Sequence, residues 1–155
     1  MESTSNMKKE PEEQDSNKAL EKRYIDANLF IYAAIDKEII GEKAKKIISE
    51  IKEGKYKAYT ATLTIDEFLW RVQKEIGRKL TAEAVNLFFI LQNLELVNID
   101  IDLIIKAVDI YKTENLDPRD AIHLAAMKQK NIVAIISSDP DFDKIKGISR
   151  IDFTK

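Results

Sequence analysis

What this 155-residue chain lacks limits the chemistry open to it. It has no Cys, which excludes disulfides, thiolate zinc sites, iron–sulfur clusters and a Cys nucleophile. Its one His, His123, excludes multi-His metal sites. Carboxylates, hydroxyls, Lys and Arg remain, and carboxylates point to oxygen-ligated cations such as Mg²⁺ or Mn²⁺. Four acids occupy places where an α/β sheet binds ligands, beyond the carboxyl ends of its strands. Asp26 directly follows Tyr24 and Ile25, and Asp139 follows Ile135, Ile136, Ser137 and Ser138. Glu67 falls in the first turns of the helix after a second strand, and Asp120 opens the helix leading into a fourth. Uncompensated carboxylates at one edge repel one another. A divalent cation relieves that repulsion, polarises a phosphoryl oxygen and supplies a hydroxide-like nucleophile.

Each acid also has a purely structural reading. Thr64-Ile65-Asp66-Glu67 matches a capping box in which Glu67 bonds back to the Thr64 amide. Asp117-Pro118-Arg119-Asp120 reads as an N-cap, Pro at the first helical position and an acid favourable to the helix dipole. Asp26 suits a cap for the helix starting near Asn28, and Asp139-Pro140 opens a turn. Capping explains each acid alone. The metal reading explains why all four fall at one edge and none interrupts an apolar face.

The elements that must position these acids alternate along the chain. Strands are expected at Arg23–Asp26, Tyr56–Thr60, Leu96–Ile99, Ile132–Ile136 and Arg150–Phe153. Helices are expected at Asn28–Ile35, Gly41–Glu53, Thr62–Ile76, Thr81–Leu94, Leu103–Thr113 and Arg119–Lys130, with one turn at Asp141–Ile145. The run Ile132–Ile136 is short, apolar and β-branched, as in a strand buried on both faces. Alternating strands and helices imply a parallel sheet covered on both sides.

Four segments resemble the PIN-domain ribonucleases, VapC-type toxins included. They are YIDANLFIY at 24–32, Glu67 within TIDEFLW, LDPRDAIHLAA at 116–126 and IISSDPDFD at 135–143. The resemblance spans residues 23–155 and implies a three-layer α/β/α fold around a five-stranded parallel sheet. It also implies Mg²⁺- or Mn²⁺-dependent cleavage of single-stranded RNA. The family's acids fall on Asp26, Glu67, Asp120 and Asp139. Asp26, Asp120 and Asp139 would hold one or two ions, with Glu67 as a ligand or a water-orienting base. The hydroxyl that often precedes the last acid falls on Ser137 or Ser138. Family toxins are usually paired with an antitoxin, and ribosomal-RNA processing is the alternative within the class. A degenerate PIN domain that binds RNA or protein without cutting stands as a further alternative, opposed by the four intact acids. A phosphoacceptor receiver domain fits poorly, because Ile25 rather than an acid precedes Asp26.

Around this centre, Asp141 is a candidate for a second metal or for support of the ligands from behind, Asp143 is expected to cap or to be solvated, and Phe142 to anchor the loop in the core. Asn28 fits a contact to metal water or phosphate, or a helix cap. His123 is expected to be packed and bonded to backbone. Arg119 is the best-placed phosphate contact, and Arg71 and Lys74 near Gly77 are weaker RNA candidates. Trp70 and Tyr32 fit base stacking, with core packing as the default.

Residues 1–22 hold six acids, four bases and few apolar residues, and are expected to form a disordered tail. Of the chain's 27 acids and 25 bases, 27 − 6 = 21 and 25 − 4 = 21 remain in residues 23–155, so a nucleic-acid partner needs a local basic stripe. No apolar run approaches a membrane span and the N-terminus has no signal-peptide pattern, so a cytoplasmic protein is expected. Val85, Leu87, Phe88, Phe89, Ile90 and Leu91 crowd one expected helix, which points to a homodimer.

Overall fold

The computed structural model describes residues 19–155. Most of the expected tail lies outside the described residues. Its far end does not behave as tail: Lys22 opens the first strand, and the Glu21 carbonyl accepts a hydrogen bond of 2.8 Å from the Lys57 amide.

The strands are β1 (Lys22–Ile25), β2 (Lys57–Ala61), β3 (Leu94–Val97), β4 (Ala134–Ile136) and β5 (Ser149–Ile151). The helices are α1 (Ala27–Ile35), α2 (Ile39–Lys52), α3 (Leu63–Ala84), α4 (Leu87–Ile90), α5 (Ile101–Thr113) and α6 (Pro118–Gln129), with a 3-10 helix at Pro140–Lys144. All four strand pairings are parallel, in the order β3-β2-β1-β4-β5. The chain thus builds outward from β1 to β3, then returns across β1 to lay down β4 and β5. The reversal falls between β1 and β4, which makes the crevice beyond their carboxyl ends the expected ligand site.

Successive strand residues face opposite ways, and two cores result. Tyr24, Tyr59, Ala61 and Ile135 pack under α5 and α6. Ile25, Ala58 and Ile136 pack under α1, α2, α3 and α4. This is the three-layer α/β/α arrangement that the sequence leads one to expect.

Two local departures have clear causes. Thr62–Ile76 and the start of the next expected helix run together as α3, broken only where Gly77 takes φ 82°. The apolar run after it does not continue to Leu94. It forms the single turn α4, which sends Phe88 inward against Phe30 and Phe68, with ring centroids 4.6 and 5.2 Å away. Phe89 and Ile90 stay exposed. The chain then turns at Asn93, in a left-handed conformation (φ 65°). Its side-chain amide donates to the carbonyls of Ile51, which also accepts from the Gly54 amide, and Lys52 at the end of α2. No helix among the described residues is long and apolar enough to cross a membrane.

Candidate active site

β1 ends at Ile25, so Asp26 stands where the strand turns into α1, and its amide still bonds to the Ile136 carbonyl of β4 at 3.1 Å. Asp26 is the N-cap of α1 by position, yet its side chain caps nothing. Its Oδ2 instead accepts from the Ser137 hydroxyl at 2.5 Å and from the Asn28 amide at 3.0 Å. Ser137 is fully buried just past β4, and its hydroxyl also accepts from the Asp139 amide at 3.0 Å and from Asn28 at 3.2 Å. Asn28 therefore bridges the start of α1 to the loop after β4 rather than capping its own helix.

That loop sets the remaining acids. The Asp139 carboxylate accepts from the Asp141 amide at 2.9 Å and so starts the 3-10 helix. Phe142 points into the α5–α6 side of the core and is completely buried. Arg150 of β5 clamps the loop from behind. It forms a two-pronged pair with Asp143 at 2.8 and 2.7 Å, reaches Asp152 at 3.2 Å and donates to the Ser137 carbonyl at 3.1 Å. Asp143 is thus an ion-pair partner, which holds its carboxyl below the usual range, rather than a cap.

Asp120 enters from the first turn of α6, where Pro118 stands at the helix start and Asp117 is the N-cap without a side-chain bond. One oxygen each from Asp120, Asp139 and Asp141 lies within 4.8 Å of the other two. Asp26 is not part of this trio, and Lys144 holds Asp141 at 2.6 Å. Glu67, Asp117, Pro118, Arg119, Asp120 and Asp139 line one open cleft of about 440 Å³. Arg71 and Lys74 do not line it. Arg71 pairs with Glu75 at 2.7 Å, and Lys74 stands 3.0 Å above the ring of Trp70, which is itself exposed rather than packed in the core.

Glu67 does not close a capping box. Thr64 lies inside α3 with its hydroxyl on Thr60 at 2.7 Å, and Glu67 Oε1 meets His123 Nε2 at 2.6 Å. The other ring nitrogen, Nδ1, is 2.7 Å from the Tyr24 hydroxyl, which accepts from the Ala61 amide at 3.0 Å. His123 is packed, as expected, but onto side chains of two other elements and not onto backbone. Tyr24 and Arg150 had no signal in the sequence beyond an apolar strand position and a late basic residue.

The charges explain what the site is prepared for. Burial pushes the Asp120 carboxyl up to about 7, and the nearby charges of Asp139 and Asp26 push the same way against His123. Burial also raises Asp26, opposed by His123 and the Ser137 hydrogen bond. Burial works against the charged His123 ring, but the bond to Glu67 and the charges of Asp26, Glu67 and Asp120 outweigh it, so its pKa is raised. The donor set is all oxygen, as a hard divalent cation requires, and a positive charge in the cleft favours ionisation of Asp120. Asp120 and Asp139, with Asp141 adjoining and Asp26 behind, are thus fitted to such an ion.

A pH signature follows. A carboxyl whose folded pKa lies above its unfolded value leaves the native state holding more protons over the interval between the two. Stability of the metal-free protein should therefore fall as pH rises from about 4 to about 7, with Asp26 and His123 acting in the same direction. Urea unfolding in chelator at pH ~5 and ~8 reads this, and Asp120→Asn should flatten the difference. An unchanged difference in the variant would remove Asp120 as its source.

The chain is thus an α/β domain with a parallel sheet that reverses at β1 and β4 and an acidic, all-oxygen cleft lined by Glu67, Asp120 and Asp139. The model of the PIN domain matches residues 23–148, and the chain belongs to that family, whose members are typically nucleases. Among curated proteins there is no significant match. Solved structures with this fold include VapC20 of Mycobacterium tuberculosis, described as a sarcin–ricin loop cleaving toxin. It is 15% identical with a TM-score of 0.65, covering 78% of this chain and 92% of that one. A toxin–antitoxin complex from Klebsiella pneumoniae is 19% identical with a TM-score of 0.59, covering 82% and 95%. VapBC2 of Rickettsia felis, bound to a DNA fragment from its promoter, is 10% identical with a TM-score of 0.66, covering 84% and 97%.

Proposed function

We propose that the chain is an Mg²⁺- or Mn²⁺-dependent endoribonuclease acting on single-stranded RNA in the cytoplasm, the toxin of a toxin–antitoxin pair. The observation that carries the reading is the meeting of Asp120, Asp139 and Asp141 in one cleft at the sheet's switch point, with Asp26 behind and Glu67 at its wall. Asp26, Asp120 and Asp139 would hold the metal, with Asp141, which meets Asp120 and Asp139 in the cleft, to assist. A divalent cation held there would supply the Lewis acidity that polarises a phosphoryl oxygen and lowers the pKa of a water. Ser137 and Asn28 fix the Asp26 carboxylate so that it does not rearrange when the ion enters. Glu67 orients the attacking water, and Arg119, lining the same cleft, meets the phosphate. In-line attack by water on phosphorus would form the new P–O bond and break P–O3′, leaving a 5′-phosphate on the downstream product and a 3′-hydroxyl, which takes up a proton, on the upstream one.

The toxin assignment rests on the fold shared with the toxins above, and an antitoxin is the partner it implies. A second copy of the chain is the other proposed partner, through the face bearing the exposed Phe89 and Ile90. Ribosomal-RNA processing uses the same chemistry on a different target. The reading is tested with end-labelled single-stranded RNA. Cleavage with Mg²⁺, none in chelator, and a 5′-phosphate on the downstream product are expected. RNA that is bound in a gel shift but left intact under every divalent ion would replace this reading with a non-cutting RNA-binding domain.

A further inference from the structure

The pair formed by Tyr24 and His123 crosses the molecule from the central strand to the cleft. His123 is 1% exposed and Tyr24 is 0% exposed, and they meet edge to face with ring centroids 5.7 Å apart. Ala61 of β2 donates to the Tyr24 oxygen, Tyr24 meets Nδ1 of His123, and Nε2 meets Oε1 of Glu67. With Glu67 ionised, Nε2 must be the donor, whether the ring is neutral or charged. In the neutral ring the Tyr24 hydroxyl then donates to Nδ1, and every polar atom along the path has a partner.

Glu67 needs such a tie. It is the one acid of the four carried on a Glu side chain, it rises from the second turn of α3, and its carboxylate is held by the His123 ring. A Glu side chain left to itself samples many rotamers, and the position of its oxygens then blurs. We propose that Tyr24 and His123 are positioning residues, a buried strut that locks Glu67 by Oε1 and leaves Oε2 to act in the cleft. This rests on the nuclease reading for its consequence in catalysis, but the strut itself is testable without activity. Groups that orient a metal-site carboxylate or ligand from behind typically account for roughly 10–100-fold in activity.

The test uses three substitutions in the full chain. His123→Leu fills the space without a donor, His123→Gln restores an N–H near the position of Nε2, and Tyr24→Phe removes only the hydroxyl. His123→Leu and Tyr24→Phe should each lower kcat for RNA by about 10–100-fold with KM unchanged. His123→Gln should recover part of that loss. In a Glu67→Gln background, His123→Leu should add little, because the group it positions is already gone. The same loss in both backgrounds, or a change confined to KM, would overturn the proposal.

The chain's single histidine supplies the second measurement, since its ring nitrogens give one unambiguous set of NMR signals. Glu67→Gln should move the Nε2 signal and its proton, and Tyr24→Phe should move Nδ1. Mg²⁺ added to the parent protein should shift the Nε2 signal through Glu67. A ring indifferent to Glu67→Gln would overturn the strut even if the protein cuts RNA. If the parent cuts no RNA but the ring responds to both substitutions, the strut stands and the nuclease reading falls.

Discussion

Asp26→Asn, Glu67→Gln, Asp120→Asn and Asp139→Asn are each expected to lower Mg²⁺-dependent RNA cleavage by ~100-fold or more. Substitutions behind metal ligands cost about 10–100-fold, and loss of a ligand or of the water-orienting group costs more. The stability change should run the other way. In chelator burial lifts the Asp120 carboxyl to about 7, and the neighbouring Asp139 and Asp26 carboxylates push the same way. An amide at that position carries no charge to bury and none to repel its neighbours, so both costs are relieved. Asp120→Asn and Asp26→Asn should therefore melt higher than the parent without metal, and the parent should gain more from added Mg²⁺. Glu67→Gln and Asp139→Asn have less room to gain. Glu67 would lose a charge-assisted bond to His123, and Asp139 a cap on the 3-10 helix. Melting curves with and without chelator, beside the cleavage assay, separate the two effects. If all four variants melt lower, these acids serve the fold more than a metal.

Phe142→Ala is expected to do the opposite on stability. Phe142 is fully buried between two acids of the loop, Asp141 and Asp143. Removing a buried Phe side chain costs about 3–5 kcal/mol in lost burial and residual cavity. The loss is also local, because this ring holds the 3-10 helix whose first residues present Asp139 and Asp141. Cleavage at a temperature well below the variant's melting point should fall as well, since small misplacements of reacting groups cost up to about 100-fold. Phe142→Leu should recover most of the stability and part of the activity. Urea unfolding measures the first effect and the RNA assay the second. A stability loss under about 1 kcal/mol would mean that the loop is anchored elsewhere, with Arg150 the next residue to test.

Phe142 shows which features were legible in the sequence. An aromatic flanked by acids at alternate positions has one plausible destination, and the core takes it. The buried Ile135-Ile136 run likewise announced a strand covered on both faces, and the acids Asp26 and Asp139 that follow β1 and β4 could be placed at one edge from order alone. The departures come from contacts between distant parts of the chain. Nothing local in Leu87–Leu91 says that the helix must stop. What accompanies the stop is long-range: Phe88 packs on Phe30 and Phe68, and Asn93 bonds to carbonyls at the end of α2 some forty residues earlier. Trp70 was expected in the core, but Thr64, Phe68 and Val72 already fill the inward face of α3 at a spacing of four, and Trp70 is left outside with Lys74 over its ring. His123 was expected to find backbone. Its actual partners lie 99 and 56 positions away, and only the assembled sheet and helices bring them within reach. The capping box at Thr64–Glu67 failed for the same reason, since both side chains had stronger partners in other elements.

Whether the cleft carboxylates hold a divalent ion is measured directly by Mn²⁺ binding, followed by the electron paramagnetic resonance signal of the free ion. The parent protein should remove Mn²⁺ from solution at pH ~8 and less at pH ~5, because Asp120 must lose its proton first. Asp120→Asn should bind at least 10-fold more weakly at the higher pH. Equal Mn²⁺ binding by the parent and Asp120→Asn, or none by the parent at pH ~8, would contradict the metal site and the nuclease chemistry built on it.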